Sequence, residues 1–554
     1  MIQETIERLQ SAPVRKHGLS LQRRIDLCRK CVDTLVPTVE DWIQEAAKAK
    51  GCPDRADVLA EEILTGPLIA VRLLRLLENS FNDLLCYGAP QLPERNIASA
   101  TRRMNGRSLL RIFPTRSLWD SVIFRDFRAD AVLVARTDPR KRHLALFRTL
   151  QDTSVSKISL VLGAGNVSSV PFSDAIHKSL VGGQQVILKM NPVNAYLKPI
   201  FEEAFAPLFE EGLLVALEGD SQVGQALVDH PAIDDIHLTG SIHTHDRIVW
   251  GSDPQEIMQR KATKSPKINK PVTSELGNVS PWIVVPGRYS KSQLHSQAKH
   301  IAASITNNVG FNCLATRVII TSKSWPQRKL FIELIQKYLS ETPKRPSYYP
   351  GSIERYQRFT QSNTQPDASG CLPWKLLEFQ DIESNPLVFQ EESFACVCAE
   401  TALRAPTDEW FVDEAVAFCN NQLPGSLCAS ITFPNAFMWY NKIAVEKALQ
   451  KLFYGCVCVN QWSGVAYSML TPPWGGFPGA TLENAGSGIG QVHNTYLLER
   501  VEKTILYGPL VSFPKPVWFP DHRNALQVGR ELIGFYHQPS YGKLARVFRN
   551  ALRG

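Results

Sequence analysis

Long hydrophobic runs are missing from this chain. No stretch reaches the roughly 18 consecutive apolar residues a membrane-spanning helix needs, which argues against a span. The opening stretch, MIQETIERLQSAPVRKHG, lacks the apolar centre of a secretory signal. Runs of like charge are missing too. The net charge of +8 is spread thinly over 554 residues, which argues against nucleic acid as a partner. The 12 cysteines are scattered and read as reduced thiols of a cytoplasmic protein. No internal repeat is found. What is present is an ordinary globular composition, 44% hydrophobic and 21% charged, able to build a real core. At about 150 residues per domain the length allows three or four domains or one large interleaved fold.

Residues 1–85 carry a helical pattern, with Ile25, Cys28, Val32 and Leu35 on one face. From about 155, short apolar runs alternate with amphipathic stretches: ISLVLGAG, GGQQVILKMNP, GLLVALEGD and IDDIHLTGS, with helical segments between them. That order predicts a parallel sheet with crossover helices, whose strand ends are where ligands bind. A second alternating region runs from about 280 to 460. Residues 340–378 are rich in Pro, Ser and polar side chains and read as an exposed connection.

Several clusters invite chemistry and offer little. Cys28 and Cys31 form C-x-x-C, but no second pair stands at zinc spacing. His230, His237, His243 and His245 crowd one segment without a ligand spacing that stands out. Cys396/Cys398 and Cys456/Cys458 are C-x-C pairs in strand-like runs, read as small buried hydrophobes, with a four-thiolate site as the alternative. No metal is expected. GAGNVSS has G-x-G but no third glycine, so it is weak as a dinucleotide fingerprint. Its Asn166 follows a strand directly. It could donate to a developing oxyanion or merely cap a turn.

The stretch NNVGFNCLATRVII, residues 307–320, places two amides and a glycine before Cys313 and a β-branched run after it. Cys313 is either a nucleophile on a loop held by the strand behind it or a buried core thiol.

The order of several short motifs resembles the aldehyde dehydrogenase superfamily over most of the chain, to about residue 510. The family's E-L-G-G is matched by Glu275-Leu276-Gly277-Asn278, and 38 residues later its G-Q-x-C by Gly310-Phe311-Asn312-Cys313. Its strand-end lysine is matched by Lys189-Met190-Asn191-Pro192, and its F-T-G-S turn by Leu238-Thr239-Gly240-Ser241. Its E-x-F-G-P corresponds to Glu392-Ser393-Phe394-Ala395-Cys396, and its N…P-x-G-G to Asn460 and Pro473-Trp474-Gly475-Gly476. The resemblance implies an α/β protein with two parallel-sheet domains and a small oligomerisation arm. It assigns 1–130 and 156–277 to NAD(P) binding, 278–484 to catalysis, and 131–155 with 485–510 to the arm. It implies a homodimer or homotetramer. Cys313 would be the nucleophile, Asn166 an oxyanion donor and Glu275 the base that activates water. Lys189, Gly240, Ser241, Glu392 and Phe394 would hold NAD or NADP.

Departures accompany the matches. Pro192 stands where NAD-preferring members carry Glu, so a 2′-phosphate meets no obvious repulsion. The segment SGIGQVHN offers Gln491-Val492 in place of Arg-Glu, which removes a carboxylate placed in a proton path. These departures support an alternative, NADPH-driven reduction of an acyl-CoA or other acyl thioester to an aldehyde. A non-catalytic member of the fold is the third reading, against which the joint retention of Cys313, Asn166 and Glu275 argues. Residues 511–554 form a basic C-terminal extension, in which Leu544, Val547, Phe548, Ala551 and Leu552 share a helical stripe. Peripheral contact with an anionic membrane or a partner through 541–554 is one expectation, packing on the chain's own body the other.

Overall fold

The computed structural model describes residues 1–93, 103–104, 106–134, 150 and 152–554. The amino-terminal region is helical, with long elements at Leu21–Leu35, Val39–Ala49 and Pro67–Tyr87. Cys28 and Cys31 are buried, unbridged thiols on the first of these. Their spacing serves helix packing, and burial raises both thiol pKa values.

Among the described residues fifteen strands, numbered in chain order, form two sheets. Three of them, β1 (Arg103–Met104), β2 (Arg107–Phe113) and β3 (Arg128–Leu133), precede the first crossover unit. The next five are β4 (Ile158–Leu162), β5 (Gln185–Lys189), β6 (Leu214–Leu217), β7 (Asp235–Gly240) and β8 (Val272–Leu276). They make a five-stranded, all-parallel sheet in the order β6-β5-β4-β7-β8. Alternate residues serve its two faces: Val161 and Leu188 pack toward the amino-terminal helices, Leu160 and Ile187 toward the opposite layer.

The remaining strands are β9 (Pro281–Val284), β10 (Val318–Ser322), β11 (Lys375–Leu377), β12 (Val397–Leu403), β13 (Cys428–Thr432), β14 (Cys456–Val459) and β15 (Val501–Tyr507). With β1 to β3 they form a ten-stranded sheet, β1-β2-β3-β15-β14-β13-β9-β10-β12-β11. It is parallel from β15 to β11, and antiparallel where β3 meets β15 and β2 meets β3. The strands β1 to β3, expected to belong mostly with the cofactor region, therefore hydrogen-bond as part of the larger sheet. The arm segment expected over 131–155 lies largely outside the described residues.

Other expectations change. Cys396 and Cys398 contact opposite faces of the large sheet, and three strands separate β12 from β14, so no four-thiolate site forms. Among the described residues no group of three or more His, Cys, Asp or Glu is disposed to hold a metal ion. The expected connection 340–378 contains a helix, Ser352–Thr360, and β11, and its Arg345 is buried against Glu61 at 2.9 Å. The carboxy-terminal helices Ala525–His537 and Tyr541–Ala551 pack on the chain itself. Val547 is buried, and Leu544 and Ala551 pack against the amino-terminal core. Most of the apolar stripe is thereby used internally, leaving Leu552 exposed, so little of the face on which membrane contact through 541–554 depended remains. No helix among the described residues is long and apolar enough to cross a membrane.

Candidate active site

A cavity of about 1480 Å³ opens at the carboxyl ends of β4, β5, β7 and β8, and loops of the large sheet form its other wall. All eight residues singled out from the sequence line it: Asn166, Lys189, Gly240, Ser241, Glu275, Cys313, Glu392 and Phe394.

The loop carrying Cys313 grows out of the helix Lys291–Thr306, which starts at a capping box of Ser290 and Gln293. Beyond Thr306 the chain passes through three left-handed residues, Asn308 (φ 49°), Val309 (φ 58°) and Gly310 (φ 76°). Such a backbone costs non-glycine residues about 1–3 kcal/mol each, so the surroundings must hold it. Asn308 Nδ2 donates to Asn166 O at 2.7 Å and Phe311 O at 2.9 Å. Its Oδ1 accepts from Lys50 Nζ and from Tyr348 OH, both at 2.9 Å. Lys50 is itself buried against Glu62 at 2.5 Å. A Cβ on Gly310 would stand 2.3 Å from Ala395 O, so only glycine fits there.

Arg317, at the foot of β10, ties the loop from below. Its guanidinium donates to Gly310 O at 2.7 Å, Asn312 O at 3.0 Å and Ala395 O at 2.9 Å. It also stands 3.5 Å from Glu392. One buried cation thus joins the Cys313 loop to the segment of Glu392 and Phe394.

Cys313 is half-buried, and its backbone N–H meets no acceptor among the described residues. Asn166 Nδ2 donates to Phe311 O at 3.1 Å. An amide nitrogen carries two hydrogens, so a second donor remains. Burial, then the neighbouring Glu275 and Glu392 carboxylates, push the Cys313 thiol well up, which disfavours its thiolate. Glu275 sits on β8, whose free edge is held by the glycine-rich stretch after Ala485: Leu276 N donates to Ser487 O at 3.0 Å and Ser274 N to Ile489 O at 2.9 Å. Its carboxyl is pushed up to about 8, first by burial and then by Asp174; the Trp474 indole and the Cys313 thiol oppose the rise. Glu275 Oε1 is buried without a hydrogen-bond partner.

Asp174 was not singled out from the sequence. It is buried on the helix Val170–Ile176, accepts from Thr239 Oγ1 at 2.7 Å and lies 3.6 Å from His237 Nε2. His237 also bonds Thr273 at 2.9 Å. The histidine-rich segment therefore supplies a hydrogen-bonding partner behind Glu275. Tyr348 and Tyr349 were also missed. Their rings stand 5.2 Å and 5.5 Å from Phe311, and Tyr349 stands 5.2 Å from Phe394. The signal was present as two adjacent aromatics inside an otherwise polar connection.

Lys189 ends β5, and burial lowers its pKa while Asp220 opposes the shift. Ser241 caps the helix Ile242–Val249, whose amino end faces the cavity and favours anionic groups. Glu392 Oε1 is buried without a hydrogen-bond partner, and Gly277 lies under the same carboxylate, where a Cβ would meet Oε2 at 1.8 Å. A carboxylate oxygen that meets only the Arg317 guanidinium at 3.5 Å, over a bare backbone and in one cavity with a lysine and a helix terminus, fits the hydroxyls of a phosphate-linked diol. The second glycine of the expected motif is Asn278, whose amide is spent on Cys428 O at 2.9 Å.

Comparison with known proteins agrees with this arrangement. The aldehyde dehydrogenase family model matches residues 161–348. Aldehyde dehydrogenase LUC3 from Fusarium sp is 29% identical over 142 residues, covering 26% of this chain and 27% of that one. The match therefore spans well under two thirds of that relative. The NAD-dependent aldehyde dehydrogenase from Sinorhizobium meliloti superposes with a TM-score of 0.60 at 15% identity, covering 93% of this chain and 87% of the other. The NADP-dependent glyceraldehyde-3-phosphate dehydrogenase from Bacillus halodurans, complexed with NADP, superposes with a TM-score of 0.56 at 18% identity, covering 91% and 88%. These structural likenesses establish the fold. The aldehyde dehydrogenase family model meets the chain over residues 161–348, the stretch that carries Asn166, Lys189, Glu275 and Cys313.

Proposed function

We propose that this protein oxidises an aldehyde to a carboxylic acid with NAD or NADP, through a thiohemiacetal and then a thioester on Cys313. The observation that carries this reading is the shared cavity: Cys313 and Glu275 open on the space that Lys189, Gly240, Ser241, Glu392 and Phe394 line. Cys313 Sγ, once deprotonated, attacks the aldehyde carbon. The backbone N–H of Cys313 and the second N–H of Asn166 are the donors for the resulting oxyanion, each worth about 3 kcal/mol in the transition state. Lys189 and Glu392 would hold ribose hydroxyls, Phe394 would pack against the nicotinamide, and the helix after Ser241 would receive the pyrophosphate. When bound, the dinucleotide supplies the hydride acceptor. Glu275 then takes a proton from water as that water attacks the thioester, releasing the acid and the free thiol.

Rapid mixing with an aliphatic aldehyde and NAD or NADP tests the proposal. A burst of reduced cofactor is expected, and Cys313→Ala abolishes it; a burst that survives that substitution overturns the assignment.

One observation favours the acyl-thioester reductase as a second reading. With its carboxyl raised to about 8, Glu275 is mostly protonated at neutral pH, which slows hydrolysis and lengthens the life of a Cys313 thioester. Oxidation of NADPH driven by a long-chain acyl-CoA would select that direction. The proposed assembly is a homodimer or homotetramer.

A further inference from the structure

The cavity does not end at Cys313. From Leu314 and Trp462 it continues to a wall made by the C-terminal extension, including Phe513, Val517, Trp518, Leu532 and Phe548. The facing wall comes from the helices Ala56–Thr65 and Pro67–Tyr87 through Leu64, Leu68 and Ile69, with Phe124 and Phe127 beside them. We infer that residues 511–554 roof an apolar tunnel leading to Cys313, and that the site takes straight-chain substrates with long unbranched alkyl tails. This inference rests on the proposed aldehyde chemistry and adds the class of substrate to it.

Three observations support the occupant. First, the cavity exceeds the roughly 300–1,000 Å³ of an ordinary small-molecule pocket, so it has room for a dinucleotide and a second, elongated ligand. Second, charged groups along the far wall are already paired. Arg72 is bidentate to Asp120 at 2.9 and 3.2 Å and also donates to Tyr536 OH at 2.6 Å. Lys515 stands 3.4 Å from Asp521 and Arg345 2.9 Å from Glu61. A charged tail would find these partners taken, whereas an alkyl chain needs none; Ser512 Oγ and His522 Nε2 on the roof stay unpaired and offer neutral hydrogen bonds only. Third, the roof is pinned to the body. Gln297 Nε2 donates to Leu510 O at 3.0 Å, Lys299 pairs with Asp521 at 2.6 Å, and Arg530 with Glu40 at 2.8 Å. Arg75 donates to the carbonyls of Tyr536 at 3.0 Å and His537 at 2.6 Å. A wall so held presents its side chains without an ordering cost on binding.

The test is a series of straight-chain aldehydes from propanal to tetradecanal, with turnover measured on the full chain. Each added methylene should raise kcat/KM about three- to fourfold until the tunnel is filled. Leu532→Trp, which plugs the tunnel far from Cys313, should reduce kcat/KM for dodecanal at least tenfold more than for propanal. Phe548→Trp, on the outermost helix, is a second plug should the first variant fail to fold. In parallel, dodecanoate binding to Cys313→Ala is measured calorimetrically, and the plug should weaken it tenfold or more. A flat chain-length profile with normal propanal turnover overturns the tunnel and leaves aldehyde oxidation standing. Tight, plug-sensitive dodecanoate binding without turnover of any aldehyde overturns the activity and supports the tunnel.

Discussion

At the scale of single residues, the question is where protons sit on Cys313, Glu275 and Asp174. The buried thiol and the raised carboxyl face one another, so the resting pair holds its protons at neutral pH. Glu275 serves as a base only when ionised. Below about 8 its ionised fraction falls tenfold per pH unit, so turnover after the burst should climb with pH and level off above 8. Glu275→Gln should flatten that climb at a low rate. Because Asp174 contributes to the raised value, Asp174→Asn removes a negative neighbour and should move the limb to lower pH. A limb that stays in place in stopped-flow pH profiles would refute the coupling. The sequence exposed Cys313 and Glu275 because their short motifs surround them. Asp174 was hidden, since a single Asp in a helix of mixed residues carries no local signal.

At the scale of elements, the loop 307–313 shows how strain is held in place. Two non-glycine residues adopt left-handed backbone there, secured by Asn308 above and Arg317 below. Arg317→Ala leaves the buried Gly310 carbonyl without a donor, takes one of two donors from Asn312 O and Ala395 O, and should cost about 3 kcal/mol, read as a lower denaturation midpoint. It should also loosen Glu392 and so raise the KM for the dinucleotide. Retained stability with unchanged KM would show that the loop holds itself. The strand behind the loop was legible from its β-branched run. The left-handed turn was not, because Asn308 and Val309 are poor markers of positive φ. Lys50, Glu62 and Tyr348, which support it, are distant in sequence.

At the scale of the molecule, the crevice exists because two sheets meet with the ends of β4, β5, β7 and β8 facing the loops of the larger one. A ligand bound between them stabilises the folded state by about 2.7 kcal/mol at a hundred times its Kd. NAD or NADP should therefore raise the midpoint of thermal unfolding, and Lys189→Ala should remove most of that rise. Comparing the two dinucleotides in one melting experiment reads the preference left open by Pro192. If neither shifts the midpoint at millimolar concentration, the cofactor assignment fails. At this scale too the extension 511–554 acquires its place: its basic residues and apolar stripe suggested a surface, and tertiary packing turned the stripe inward.

By itself the sequence determined the crossover pattern from β4 to β7, the loop before β10 and the order of motifs that resembles the aldehyde dehydrogenase superfamily. Each rests on local periodicity or on residues adjacent in the chain. Tertiary structure alone decided that β1 to β3 join the larger sheet, that Asp174 comes close enough to raise the Glu275 carboxyl and that the C-terminal helices line the cavity. Those outcomes depend on surfaces that meet only after the chain has folded, and the free energy of burying them is not written in any one segment.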